Sequence, residues 1–169
     1  MDRIDSGDFH VFTFKQGLLS PLAHDLRLSL RRFIIEIEGD DVKGKFWPAT
    51  LRVDGVMKKG RCDPDGLKDH HKREIQGNIT RKILMTDRHP QAVFEGKREE
   101  GAQGAWRVSG TLEIKGKRAP LSLDVVTENG RLKANVELVQ TKWGIKPFKA
   151  VGGTIKIKDA LRIEFELEP

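Results

Sequence analysis

The stretch that decides the fold is WRVSGTLEIKGKRAPLSLDVVTENGRLKANVEL, residues 106–138. Apolar side chains occupy alternate positions in three consecutive runs, with charged or hydroxyl-bearing residues at most of the positions between them. Because successive side chains of a strand point to opposite faces, each run predicts a strand with one buried and one solvated face. Asn129-Gly130 tolerates positive φ and predicts a hairpin between the last two strands. The apolar positions of the runs are Trp106, Val108, Leu112 and Ile114; Leu121, Leu123 and Val125; and Leu132, Ala134, Val136 and Leu138.

The same period of two extends in both directions along the chain. In the N-terminal half, the apolar parity changes between residues 26–30 and 33–37, which predicts a bulge or bend near Arg31-Arg32. Together the runs predict about eight antiparallel strands. Further apolar positions of these strands are Ala49, Leu51 and Val53; Val93 and Phe94; Ile155 and Ile157; and Leu161, Ile163, Phe165 and Leu167.

One segment, around residues 66–86, has a helical period instead. Its apolar or aromatic positions recur every four residues, which predicts a short helical insertion between the strands. Asp65 is the predicted N-cap, and Gly77 is predicted to divide the insertion into two short helices. The stripe consists of Leu67, His71, Ile75, Ile79 and Ile83.

Strands in hairpin succession with one apolar face must hide that face and their edges, and closure into a barrel does both. We therefore predict a mainly β chain forming one antiparallel β-barrel domain over residues 1–169. A barrel of about eight strands is either filled by its own side chains or holds one slender ligand.

Composition narrows the class of protein. The chain has 169 residues and a single cysteine, Cys62, so a disulfide framework is excluded. It carries 31 Lys+Arg against 25 Asp+Glu, and most of these charges alternate with apolar residues as solvated strand faces. No apolar run approaches the ~20 residues of a membrane-spanning helix. No secretory signal is visible, which predicts a cytoplasmic protein, or a periplasmic one if a leader was removed.

No constellation of residues predicts catalysis, a metal site or a cofactor. Adjacent His24 and Asp25 point to opposite faces of a strand, so they are predicted to be structural, with a polar anchor at the barrel mouth as the alternative. Asp69-His70-His71 lacks the further ligands that a metal would need and is interpreted as surface histidines. The three Trp and eight Phe lie mostly on the apolar parity, which favours core packing over nucleic-acid binding.

Residues 108–123, VSGTLEIKGKRAPLSL, resemble the V-x-G-x-L-x-I-x-G-x-x-x-P-x-x-L core of YceI-like proteins. Further similar elements are residues 49–53, residues 88–94 with Pro90 and Phe94, and residues 141–145 with Trp143. The resemblance covers roughly residues 9–168 and implies a lipocalin-like barrel associated with polyisoprenoid binding. The chain departs from the family where Ile79–Leu84 replaces a frequent Phe-Phe-Asp stretch.

Apolar parity and the resemblance together predict non-enzymatic binding of a polyisoprenoid or other fatty lipid. Lys142, Lys146 and Lys149 are predicted to attract a pyrophosphate head group. The alternative is a side-chain-filled barrel that acts as a protein-interaction or stress-associated scaffold. An enzyme using His24, Asp25 or His89 is the least favoured hypothesis, and the sequence leaves a homodimer open. The predicted ligand-binding residues are Phe94, Val108, Leu112, Ile114, Leu121, Leu123, Ala134, Val136, Leu138, Trp143, Ile155, Ile157 and Phe165.

Overall fold

A computed structural model describes residues 1–17, 24–153 and 155–169. Its described residues form fourteen strands, twelve of them in one antiparallel sheet and two in a separate ribbon. The strands of the large sheet are β1 (Asp2–Ile4), β2 (Ser6–Thr13), β3 (Leu26–Leu30), β4 (Phe33–Glu38), β5 (Asp41–Phe46), β6 (Leu51–Lys58), β7 (Arg61–Asp63), β8 (Ala92–Glu100), β9 (Trp106–Ile114), β10 (Lys117–Glu128), β11 (Arg131–Val139) and β14 (Ala160–Glu168). The ribbon consists of β12 (Lys149–Ala150) and β13 (Ile155–Lys156).

The large sheet has the order β1-β4-β5-β8-β9-β10-β11-β14-β2-β3-β6-β7 and curls into a half-barrel around an apolar interior. The mainly β, lipocalin-like antiparallel fold is confirmed, but the prediction of about eight strands is wrong. Bends split two long strands into β3 and β4 and into β5 and β6, and the three-residue strands β1 and β7 are added at the edges.

The bend predicted at Arg31-Arg32 is confirmed. The two residues interrupt the sheet between β3 and β4, and Pro48–Thr50 forms a 3₁₀ turn between β5 and β6. Backbone hydrogen bonds join the two bends, from Arg31 N to Thr50 O at 3.3 Å and from Trp47 N to Arg32 O at 3.1 Å. The apolar residues of the core change from even-numbered positions in β3 to odd-numbered positions in β4 because the chain turns at Arg31-Arg32 from one part of the sheet to the other.

The hairpin predicted at Asn129-Gly130 is also confirmed. Both residues have positive φ, 51° and 75°, as a two-residue turn between strands requires. β10 and β11 pair only from Val126↔Lys133 to Glu128↔Arg131. Beyond that point β10 and β11 no longer pair with each other; on their other edges β10 pairs with β9 and β11 with β14.

The predicted insertion contains helix α1 (Asp69–Gly77), followed without a break by a π-helical segment (Asn78–Ile83). The predicted N-cap is wrong, and Gly77 divides the insertion only into an α-helical and a π-helical part. Asp65 does not cap α1; its N–H donates instead to Asp63 Oδ1 at 3.0 Å within the 3₁₀ turn Pro64–Gly66. Gly77 keeps helical backbone angles, so the helix changes its hydrogen-bonding period there and does not end.

Ile155 and Ile157 do not extend the large sheet as predicted. Ile155 lies in the short ribbon with Ala150, and Ile157 pairs with Lys15 just after β2. The remaining 3₁₀ turns are Ala102–Gly104, Gln140–Trp143 and Val151–Gly153. No helix in the described ranges is long and apolar enough to cross a membrane.

Candidate functional site

A cavity of about 820 Å³ lies inside the curled sheet. Its wall is built from the inward parity of the strands, for example Phe9 and Val11 on β2 and Leu161 and Ile163 on β14. Every second residue of a strand faces the interior, and in these strands most of the inward-facing residues are apolar. The volume falls within the roughly 300–1,000 Å³ of typical ligand pockets.

The structure brings the residues predicted to bind a ligand together, with two exceptions. Ala134 has the inward parity, but its single methyl group is not part of the cavity wall, and Trp143 lies behind the wall. Ligand contact itself stays a prediction. The predicted residues on the wall are Phe94, Val108, Leu112, Ile114, Leu121, Leu123, Val136, Leu138, Ile155, Ile157 and Phe165.

Trp143 has a structural position. Its side chain is 2% exposed, and its Nε1–H donates to the Leu112 carbonyl at 2.7 Å. Gly144 follows at φ 67° and ends the 3₁₀ turn, and Ile145 then enters the core at 5% exposure. The indole therefore fixes the segment after β11 against β9.

The helical insertion supplies a large part of the wall that the prediction of binding residues missed. All five members of the helical stripe, from Leu67 to Ile83, line the cavity. Glu74 and Asn78 add polar groups to the same helix face. Gln76 fastens α1 to the sheet, since its Oε1 accepts from Val53 N at 2.9 Å. The four-residue period predicts that these side chains share one apolar face of a helix, but only the fold shows that this face turns toward the cavity.

Two glycines on the inner face bring β8 and β9 close together. Gly96 pairs with Gly110, and a Cβ at Gly96 would lie 2.9 Å from Gly110 Cα and 2.8 Å from Phe94 Cζ. The Phe94 ring can therefore lie over bare backbone.

His24 and Asp25 have separate roles. His24 lines the cavity, whereas Asp25 Oδ1 accepts from Lys15 N at 2.8 Å and its carbonyl accepts from Met57 N at 2.8 Å. Asp25 thus ties together the ends of β2, β3 and β6. His89 is not on the wall; its N–H donates to Met85 O at 3.0 Å.

Few other polar groups reach the cavity. The Thr13 hydroxyl is buried, and the described residues offer it no hydrogen-bond partner. The Arg98 guanidinium lies 4.5 Å from the centre of the Trp106 ring, and its Nε donates to Gly39 O at 3.0 Å. The wall is therefore suited to an apolar molecule that carries few polar groups.

A charged network lies on the outer face of the sheet. Asp54 Oδ2 accepts from Arg27 Nε at 2.9 Å and from Ser29 Oγ at 2.6 Å. Burial, and next to it the Arg27 charge, lower the pKa of His10 below its ordinary 6.5. This network supports the sheet from outside and does not line the cavity.

The histidines predicted to lie on the surface are exposed. The His70 and His71 rings are 4.0 Å apart, and His71 also reaches the cavity wall. Across residues 1–17, 24–153 and 155–169, no group of three His, Cys, Asp or Glu side chains converges in a metal-binding arrangement.

Comparisons with known proteins agree with this geometry. The model of the YceI-like domain matches residues 32–169. Among proteins with curated descriptions, none matches the chain in sequence.

Solved structures show the same fold at low sequence identity. Burkholderia cenocepacia BcnA is 14% identical, with a TM-score of 0.62 and 94% of each chain covered. A polyisoprenoid-binding domain from Saccharophagus degradans, implicated in plant cell wall breakdown, is 9% identical, with a TM-score of 0.63 and 98% of this chain and 95% of that chain covered. The YceI protein of Campylobacter jejuni is 13% identical, with a TM-score of 0.57 and coverages of 92% and 90%.

Proposed function

The chain belongs to the YceI-like domain family, and we propose that it binds one elongated apolar molecule, a polyisoprenoid or another lipid, inside its half-barrel. The observation that carries this proposal is the cavity of about 820 Å³ with its almost entirely apolar wall. The solved polyisoprenoid-binding domain of the same fold supports the choice of ligand class.

Burial of a hydrocarbon chain is a sufficient driving force for such binding. Each CH₂-sized unit removed from water contributes about 0.8 kcal/mol, so a chain of ten buried carbons gains roughly 8 kcal/mol before the cost of immobilising it. The alternative of a side-chain-filled scaffold is less well supported, because a filled interior would leave no cavity of this size.

We propose that the protein acts without catalysis. In the described parts of the chain, no serine or cysteine donates a hydrogen bond to a histidine, which is the arrangement that activates a nucleophile. The titratable groups on the wall are His24, Arg98 and, both on α1, His71 and Glu74, and they serve as polar anchors for a ligand.

The head group of the ligand is proposed to lie near Lys142, Lys146 and Lys149. All three are exposed, and they flank Ile145 and Phe148, which line the cavity. An anionic phosphate or pyrophosphate could thus meet ammonium groups while its hydrocarbon chain enters the interior.

Native mass spectrometry of protein purified from cells tests this function. We expect a bound species whose mass and fragments identify a lipid, or uptake of an added polyprenyl phosphate by ligand-free protein. A ligand-free spectrum combined with no uptake of polyprenyl phosphates or fatty acids would refute the proposal.

A further inference from the structure

Residues 140–158 combine a high positive charge with a complete lack of acidic residues. The stretch contains five lysines and no aspartate or glutamate, and we call it the lysine segment. All five side chains are exposed, and no carboxylate of the described residues lies within 4.0 Å of any of them. The next residue, Asp159, is acidic, but its carboxylate accepts from Thr141 N at 2.9 Å and from Thr141 Oγ1 at 2.6 Å, so none of the five ammonium groups is ion-paired to a described carboxylate. The five are Lys142, Lys146, Lys149, Lys156 and Lys158.

The lysine segment lies at one end of the cavity. Its apolar residues, among them Ile145, Phe148 and Ile157, form part of the cavity wall. Backbone hydrogen bonds hold it to the chain after β2, from Gln16 N to Lys156 O and from Lys158 N to Phe14 O, both at 2.8 Å. The exposed lysines thus alternate along the chain with residues that line the cavity.

The other end of β11 differs in its electrostatics. Near the hairpin that joins β10 to β11, Arg131 pairs with Glu168 at 2.9 Å and Lys133 with Glu128 at 3.1 Å. This hairpin is separated from the lysine segment by the nine residues of β11, roughly 30 Å of extended strand. The basic residues of this hairpin are therefore ion-paired, whereas the five lysines of the lysine segment have no such partner among the described residues.

We propose that the lysine segment docks this end of the half-barrel onto an anionic lipid bilayer. A lysine close to an anionic membrane surface strengthens binding roughly fivefold, so several lysines on one surface act together. Docking here would place this part of the cavity wall against the phase in which an apolar cargo is dissolved. The inference extends the proposed function, since docking serves the exchange of cargo.

A bilayer fits this surface better than a nucleic acid does. Nucleic-acid platforms combine positive charge with exposed aromatic rings that stack on bases. Here Trp143 is 2% exposed and Phe148 is half-buried on the cavity wall, so the lysine segment has no fully exposed ring for stacking.

Vesicle flotation with the full chain tests the proposal. Vesicles of phosphatidylcholine, with or without an equal part of phosphatidylglycerol, contain no prenyl lipid, so docking is measured separately from the uptake of a polyprenyl cargo. We compare the wild-type chain with Lys142→Gln/Lys146→Gln/Lys149→Gln. The matched control is Lys43→Gln/Lys45→Gln/Lys97→Gln, which removes the same charge from exposed positions on the outer face of β5 and β8. Circular dichroism confirms that each variant folds.

We expect the wild-type chain to bind only the anionic vesicles and to dissociate as NaCl is raised. The variant in the lysine segment should bind anionic vesicles on the order of 100-fold more weakly than the wild type, because each of its three lost lysines contributes roughly fivefold. The control variant should bind them within about fivefold of the wild type. Equal binding to neutral vesicles, equal losses in both variants, or tighter binding to duplex DNA than to vesicles at the same salt would overturn the proposal. Failure of cargo uptake with docking intact would overturn only the proposed function.

Discussion

Partial filling of the cavity is the most direct perturbation of the proposed site. Val136 lies on β11 opposite Ile163, with its side chain on the cavity wall. Replacement by tryptophan adds about seven heavy atoms, which would displace up to about seven chain carbons and about 6 kcal/mol of binding free energy at ~0.8 kcal/mol each. If half of the indole enters unused space, the loss is still about 3 kcal/mol, roughly 100-fold in Kd.

The assay is titration of a polyprenyl phosphate into Val136→Trp, followed by native mass spectrometry. The matched control is Val126→Trp, because Val126 is 44% exposed on the outer side of the neighbouring strand β10. We expect the control to bind like the wild type. Urea unfolding should show that Val136→Trp costs less than the roughly 1–3 kcal/mol of overpacking in a filled core, since the cavity has room for the ring. Binding by Val136→Trp equal to that of the control would show that the ligand lies elsewhere.

Three further perturbations test the framework around the cavity. Trp143→Phe should lower the free energy of unfolding by about 1–3 kcal/mol in urea, because the buried Leu112 carbonyl loses its donor; an unchanged unfolding midpoint would contradict that role. Gly110→Ala should shift the thermal unfolding midpoint downward, because a Cβ would collide with the β8 backbone at Glu95, whereas the adjacent exposed Ser109→Ala should change it little. The pKa of His10 is lower in the folded protein than its ordinary 6.5, so between these two pKa values the unfolded chain binds more protons than the folded one. The contribution of His10 to the free energy of unfolding is therefore fully present above pH 6.5 and is lost as the pH falls through the folded-state pKa. Between about pH 7.5 and 5.5, the free energy of unfolding in urea should therefore fall less in His10→Gln than in the wild type. An equal fall in both proteins would contradict this role of His10.

Elements with a strong local pattern were predictable from the sequence. The runs from Trp106 to Leu138 and the turn at Asn129-Gly130 contain both the alternation and the turn residues that make a hairpin. In contrast, β1 was missed because Ile4 is its only apolar residue, although Ile4 is 2% exposed in the core. β5 was missed because Gly44 stands at an inward position where an apolar side chain would have continued the alternation.

The candidate site was predictable where parity alone decides which way a side chain points. Ala134 shares that parity but is too short to reach the cavity. Trp143 lies in no alternating run, and its position depends on the carbonyl of Leu112, thirty-one residues away in sequence. Likewise, the stripe on the helical insertion identifies an apolar face, but the contact of α1 with β6 determines what that face covers.

The sequence by itself determined the alternation, the hairpin turn, the helical stripe and the lysine-rich, acid-free segment, because each depends on residues that are neighbours along the chain. Only the tertiary structure decided that the interior contains a cavity, and that the helix face and the lysine segment adjoin it. The volume enclosed by a curled sheet depends on its strand order, its bends and the sizes of side chains from distant strands. The same alternating residues could equally have filled the interior, so no local pattern distinguishes a hollow half-barrel from a solid one.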